Sequence, residues 1–371
     1  MFVPLGLALM FWLGRRVPVT AVAVLTTLVI ELLQINVISG RDASLSDIVA
    51  NTLGAWIGME LVTRRRALTH PPPPAAAGLA LAWSLVVSAI LVVTSWGLGP
   101  DASELLWIQW TPPRPPHEPF TGRLLSFDVD GIDLPSGYSP VRLGLDEHLG
   151  RETWTSTAVI DARGLSPKRS IIARIVDVNS VVLSVDQAGW GLVCDYRTRS
   201  AALRVRSPRV LLADGLRPPP SGNPLVRLVC ARRGGHLDVQ VASDVGSRAY
   251  SLALSPSLGW VLLSPFDLVF DDRYVPISML WLIALFLPAG YWLHRARHRA
   301  SAGSTGDRVT VRRHDRLLGG SALAAVVLAL VVGLDLAPRA LAVAPAGWWE
   351  WAAGLGGVAC GAFLHRLIAS R

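Results

Sequence analysis

The chain has 371 residues, of which 51% are hydrophobic and 17% charged, with a formal net charge of +8. Disordered chains are poor in apolar residues and soluble proteins carry about 25% charged residues, so neither class fits. Apart from Lys168 the positive charge is all arginine, and three cysteines are too few for a disulfide framework or a structural zinc site. Basic loops flanking membrane spans account for the charge and the apolarity together, and no nucleic-acid partner is expected.

In chain order, Met1–Gly14 is apolar but only about 20 Å long as a helix. Its first charges, Arg15 and Arg16, follow it, so it lacks the basic start of a signal peptide and reads as a short or truncated helix. Residues 17–38 and 47–62 form two spans, and 1–64 is the first region. Within 65–77, rich in Arg and Pro, Pro71–Pro74 reads as a stiff cytoplasmic linker. Residues 78–98, 276–293 and 317–336 are further spans, and the Gly-rich stretch 346–364 closes a last hairpin within 317–366. A span needs roughly 20 apolar residues, and about seven transmembrane helices result. With these crossings, Arg15 and Arg16, Arg64–Arg66, Arg295, Arg297 and Arg299, Arg308–Arg316, and Arg366 with Arg371 all fall on one side. The positive-inside rule makes that side cytoplasmic. The basic loop 294–316 and the C-terminus then lie inside, and the loop 39–46 and the segment 100–274 lie outside.

The outer segment reads as all-β. Ser180–Val185, Gly191–Cys194, Ala202–Val205, Leu225–Cys230, Leu237–Val241, Ala249–Leu254 and Trp260–Leu263 are short, β-branched runs separated by Gly, Pro, Asn and Asp. That is the signature of a sandwich or barrel. The stretches TAVIDARGL, SVDQAGWGLVCDYRT and LVRLVCARRGGHLDVQV resemble the laminin G-like or concanavalin A-like jelly roll over about 101–272. The family's closing Asp-Gly is replaced here by Ala242-Ser243-Asp244. The fold class expected is a mixed membrane protein: transmembrane helices plus an extracytoplasmic jelly-roll-like β-sandwich.

The sharpest signal lies in the first hairpin. Glu31 and Gln34 are three apart on one helix face. Asp47, Asn51, Gly54 and Gly58 fall at i, i+4, i+7 and i+11, one face of the next helix. Arg41 sits in the short loop between them. Glu31 lies about 10 Å, and Asn51 about 6 Å, below the outer boundary. An ionisable group facing lipid costs about 2.5–3.5 kcal/mol or more, so Glu31 is expected to face protein, a cavity or a partner, with Asn51 opposite. Gly54 and Gly58 let two helix backbones approach. This pattern, Glu-x-x-Gln, then Arg, then Asp-x-x-x-Asn-x-x-Gly, closely resembles the VanZ-like family of bacterial membrane proteins over about residues 1–64. The resemblance implies a cell-envelope role; the family's namesake is linked to reduced susceptibility to the glycopeptide teicoplanin, and no reaction comes with it.

Glu31, Gln34, Arg41, Asp47 and Asn51 are therefore the candidate ligand-binding residues, for an anionic or amide-bearing ligand. The competing reading is a polar network that only holds two helices together. Asp335, Arg339 and GLGGVACGAF (354–363) loosely mimic the same features in the last hairpin, but generic Gly-rich packing is the favoured account of them. Asp128, Asp130 and Asp133 around Gly131 hint at calcium but lack the spacing of an EF-hand loop, which leaves an acidic β-turn. Cys194 and Cys230 lie in the outer segment, where a disulfide is permitted. No metal cluster, nucleophile elbow or phosphate loop appears, so no cofactor, metal or catalytic residue is assigned. The expected partners are membrane lipid and a cell-wall precursor or glycan, and the oligomeric state is open. A tethered carbohydrate-binding or adhesion module, or a headgroup enzyme using Glu31, are the rival functions.

Overall fold

A computed structural model describes residues 2–37, 45–101, 106–112, 117–141, 144–178, 180–203, 205, 207–217, 224–244, 246–262, 269–270, 274–298 and 308–369. It divides into two units, Met1–Ala75 and Ala76–Arg371.

The first unit is helical: α1 (Val3–Leu13), α2 (Arg16–Val37), α3 (Leu45–Thr63) and α4 (Arg65–Thr69). Pro4 lies in the first turn of α1, where its missing N–H is no loss. Gly14 ends the helix at φ 65°, its N–H donating to the Met10 carbonyl at 3.1 Å. The buried stripe of α2 recurs every fourth residue: Val19, Ala23, Thr27 and Glu31. The Thr27 hydroxyl is satisfied by the Ala23 carbonyl at 3.0 Å. Helices α1 and α3 meet backbone to backbone. A Cβ on Gly6 would stand 2.7 Å from the Ala55 carbonyl carbon, and one on Gly58 would stand 2.8 Å from the Leu7 nitrogen. The glycine pattern read from the sequence thus has α1 as a partner of α3.

The second unit joins four long helical segments to a β-sandwich. The helices are α5 (Pro73–Leu98, from Ala76 on), α8 (Tyr274–His298), α9 (Arg308–Val331) and α11 (Trp348–Ala369). α9 runs on through a π-helical turn, Val332–Leu336, into α10 (Ala337–Ala340). The stretch expected to be linker is largely helical, in α4 and the start of α5. Proline is compatible with a first helical turn, so Pro73 and Pro74 start α5 rather than prevent it. Leu91, Leu282, Phe286, Val326 and Leu334 form the bundle core.

The sandwich strands are β1 (Leu106–Trp110), β2 (Arg123–Val129), β3 (Ile132–Asp133), β4 (Tyr138–Val141), β5 (Trp154–Asp161), β6 (Arg169–Val176), β7 (Val181–Ala188), β8 (Gly191–Tyr196), β9 (Arg209–Leu212), β10 (Leu225–Arg233), β11 (His236–Ser243), β12 (Gly246–Ala253) and β13 (Val269–Phe270). One sheet has the order β13-β9-β8-β7-β6-β1-β4 and the other β12-β11-β10-β5-β2-β3. The pairings are antiparallel except β13 with β9. Short helices α6 (Leu145–Leu149) and α7 (Gly259–Leu262) complete it. Trp154 fills the core against Tyr196, ring centroids 4.8 Å apart. Two runs expected as strands are not. Ala202 and Leu203 lie in a 3-10 turn, and Trp260 starts no ladder but sits in α7, its indole N–H donating to the Ser278 hydroxyl on α8 at 3.0 Å. Contact with the helices replaces strand pairing there.

Among the described residues, five helices are long and apolar enough to cross a membrane: Arg16–Leu33, Pro73–Leu98, Tyr274–Arg297, Leu317–Ala340 and Trp348–Ile368. Val3–Leu13 and Ile48–Thr63 are shorter apolar helices. In the second unit the sandwich joins the C-terminal end of α5 and the N-terminal end of α8. The opposite ends of α8 and α11 meet where Arg366 approaches His294 at 3.4 Å.

Two buried charges seat the sandwich on the helices. Arg232 of β10 is fully buried, with Nη1 donating to the Leu98 carbonyl at 3.2 Å and Nη2 to the Ala342 carbonyl at 2.8 Å. Its guanidinium lies 5.8 Å from the centre of the Tyr196 ring. Burial pulls its pKa below the usual arginine range, opposed by Tyr196 and Glu152. At the start of α11, Glu350 is 2% exposed; its carboxylate accepts from the Ser255 hydroxyl and, at 2.6 Å, from the Gly347 N–H. Replacing Arg232 with Ala strands two carbonyls in a dry contact, at a cost of about 3 kcal/mol. The Arg232→Ala protein should therefore melt well below the parent in a tryptophan-fluorescence melt, and Arg232→Met, which keeps the packing, should melt between them.

Candidate functional site

The candidate site is the α2–α3 hairpin of the first unit. On α2 the inward stripe carries an acid: Glu31 is 5% exposed, while its neighbours Leu32 and Leu33 are exposed and apolar. The carboxylate thus faces protein and the leucines face outward, as the cost of a charge in hydrocarbon demands. Thr27, one turn away, continues the polar part of the same stripe. On α3, Asn51 is half-buried, and Gly54, Ala55, Gly58 and Met59 are buried below it.

Of the five expected residues, then, the structure places Glu31 and Asn51. The backbones of Gln34 and Asp47 belong to α2 and α3, their side chains lie outside the described residues, and so does Arg41.

The other end of the hairpin holds a residue that the sequence reading missed. Glu60 of α3 pairs with Arg16 at 3.0 Å and Arg64 at 2.8 Å. Arg65 lies over the Phe11 ring at 5.9 Å. Arg16 and Arg64 are therefore at one end of the hairpin. The signal was present in Glu60 standing four residues before Arg64. Both arginines are mostly exposed, so each pair is worth at most about 1 kcal/mol, and the role is orientation more than stability.

Elsewhere, the Asp128–Asp133 run is the β2–β3 hairpin, turning at Asp130 (φ 50°) and Gly131 (φ 78°). Asp130 accepts from the Thr155 N–H at 2.7 Å and lies 2.8 Å from His148 Nδ1. Burial raises the Asp128 pKa above the ordinary aspartate value. Asp128 thus serves the turn, accepting from the Gly131 N–H, while Asp130 ties it to β5 and α6. Asp335 and Arg339 form a partly exposed ion pair at 2.8 Å on the outside of the π-turn and α10.

A cavity of about 350 Å³ lies between α5, α7 and α8, walled by Ile90, Val93, Gly97, Leu262 and Trp281, with Ser200 at its polar edge. Cys194 of β8 and Cys230 of β10 bring two buried free thiols together across the sandwich core. Burial, with the adjacent Cys230, pushes the Cys194 thiol well above its ordinary value.

Residues 1–66 match the VanZ/LLP1 family. No curated protein and no solved structure matches the chain. The family match thus covers the helices α1–α3 and does not extend to the sandwich or its helices.

A buried, protonated thiol reacts slowly with alkylating reagents. Maleimide at pH 8 should leave Cys194 and Cys230 unlabelled in the native protein and label both after denaturation, as read by peptide mass spectrometry. Labelling that requires a reductant as well as denaturant would instead reveal a disulfide in the isolated protein.

Proposed function

We propose that this multi-pass membrane protein is a non-enzymatic component of the cell envelope that binds a cell-wall or lipid-linked ligand at the outer leaflet. The site is the α2–α3 hairpin: Glu31, Gln34 and Asn51 for amide and hydroxyl groups, Arg41 for phosphate or carboxylate by bidentate geometry, and Asp47 at the start of α3. The observation that carries this reading is Glu31, an acid turned inward on a mostly apolar helix, in the part of the chain that matches the VanZ/LLP1 family. The positive-inside rule supports an orientation with the sandwich and the 39–46 loop outside. By analogy with the family's namesake, the bound ligand makes the cell less susceptible to glycopeptides.

A second reading puts binding on the sandwich, as a laminin G-like or concanavalin A-like module for glycan or for adhesion. Its two-sheet architecture and its seating through Arg232 and Glu350 favour this reading, since a load on the sandwich reaches the helices.

Teicoplanin and vancomycin susceptibility in a sensitive host tests the first reading. The intact protein should raise tolerance, and Glu31→Gln, Arg41→Ala and Asn51→Ala should each abolish the rise at matched membrane levels. Equal susceptibility of all four and of an empty vector would remove the glycopeptide role.

A further inference from the structure

The two units share a helix contact atom for atom. In the first unit a Cβ on Gly6 would meet the Ala55 carbonyl carbon at 2.7 Å, and in the second a Cβ on Gly290 would meet the Val358 carbonyl carbon at 2.7 Å. A Cβ on Gly58 would meet the Leu7 nitrogen at 2.8 Å and the Gly6 carbonyl carbon at 3.1 Å. One on Gly361 would meet the Tyr291 nitrogen at 2.5 Å and the Gly290 carbonyl carbon at 3.0 Å. These contacts map α1 onto the latter half of α8 and α3 onto α11, each in a single register.

The sequence repeats in the same register. Phe2-Val3-Pro4-Leu5-Gly6 aligns with Phe286-Leu287-Pro288-Ala289-Gly290. Asp47, Ala50, Gly54 and Gly58 align with Glu350, Ala353, Gly357 and Gly361, and Asp47 and Glu350 are each the third residue of their helix. Two of the differences between the copies concern Asn51 and Glu31. Asn51 aligns with Gly354, where a Cβ would stand 2.9 Å from a Leu330 methyl, so an apolar side chain crowds the place of the amide. Glu31 falls opposite Leu334 in this register; the adjacent acid, Asp335, is turned outward onto Arg339.

The acid at the hairpin mouth is kept, and it is occupied. Glu350 accepts from the Ser255 hydroxyl, and Ser257 also hydrogen-bonds to it. Both serines are buried. The α10–α11 loop is held by the same part of the sandwich. Ala344 N–H donates to the Leu254 carbonyl at 3.1 Å, Arg232 donates to Ala342, and Gly235 at φ +82° lies flat against Val343 and Ala344.

We propose that residues 286–369 are a second, degenerate copy of the three-helix unit and that this copy is the receptor for the β-sandwich. The Ser255–Ser257 turn fills the mouth at Glu350. The copy has lost its amide and its inward acid, so it takes no diffusible ligand and serves as the sandwich's seat. This inference does not depend on the ligand proposed for the first copy.

Hydrogen exchange on the full-length protein in nanodiscs tests the seat. Glu350→Ala, and separately Ser255→Ala with Ser257→Ala, should speed amide exchange in residues 254–258 and 342–347 by about tenfold or more as that contact opens. The β5 and β10 strands should exchange as in the parent. Unchanged exchange in both variants would overturn the receptor role. Thermal melts test the duplication: Gly6→Val, Gly58→Val, Gly290→Val and Gly361→Val should each lower the melting temperature, and Gly356→Val, which meets nothing within 4 Å, should not. Tolerance of the substitutions in one unit alone would overturn the common packing. Glycopeptide tolerance, where the intact protein confers it, should survive Glu350→Ala.

Discussion

Where Gly361 of α11 lies against Leu287, Gly290 and Tyr291 of α8, two helix backbones come so close that a single added carbon has no room. Hydrocarbon solvates leucine as well as another leucine does, so apolar side chains alone do not drive membrane helices together; close backbone approach and dispersion do. The α8–α11 pair is built on that approach, and α9 and α5 pack around it through Leu330, Leu334 and Leu91. The α1–α3 pair obeys the same constraint at Gly6 and Gly58. In both units the glycines decide which helices are partners, and the polar residues occupy what space that pairing leaves.

The sandwich meets these helices through buried polar groups as well as through apolar contacts such as Leu98 and Val343. Arg232 caps the C-terminal carbonyl of α5 at Leu98 and the loop carbonyl of Ala342, and Glu350 takes the hydroxyl of Ser255. Carbonyls at a helix end have no partner within the helix, and buried inside a protein contact they need a donor from elsewhere. A side chain from the sandwich supplies it. Breaking such contacts leaves charge uncompensated away from water, so these polar groups hold the sandwich in one position.

The same logic separates the two hairpins. On α2, Glu31 stands in register with Val19, Ala23 and Thr27 and is carried inward with them. In the last hairpin the π-turn Val332–Leu336 shifts the helical phase, and Asp335 emerges beside Arg339 on the outer side. An extra residue in one helical turn rotates everything after it. An acid at a comparable place along the chain is therefore a candidate site in one hairpin and a surface ion pair in the other.

The sequence by itself determined the apolar spans, because crossing a bilayer is a one-dimensional requirement of about 20 residues. It also determined which residues share a face. Glu31 with Gln34, and Asn51 with Gly54 and Gly58, follow from helical periodicity alone, and the alternating runs of β7, β10 and β11 marked a sandwich before any fold was known. What lies opposite a face is not written in local spacing. Only the tertiary structure turned Gly58 toward α1, put Glu60 between Arg16 and Arg64, and made Trp260 a helix contact instead of a strand. Arg232 reads as one charge in an ordinary strand, and its partners lie 134 and 110 residues away. Ser255 and Glu350 are 95 residues apart. Periodicity carries information over a few turns, whereas a buried charge is satisfied by whatever donor or acceptor the folded chain brings to it.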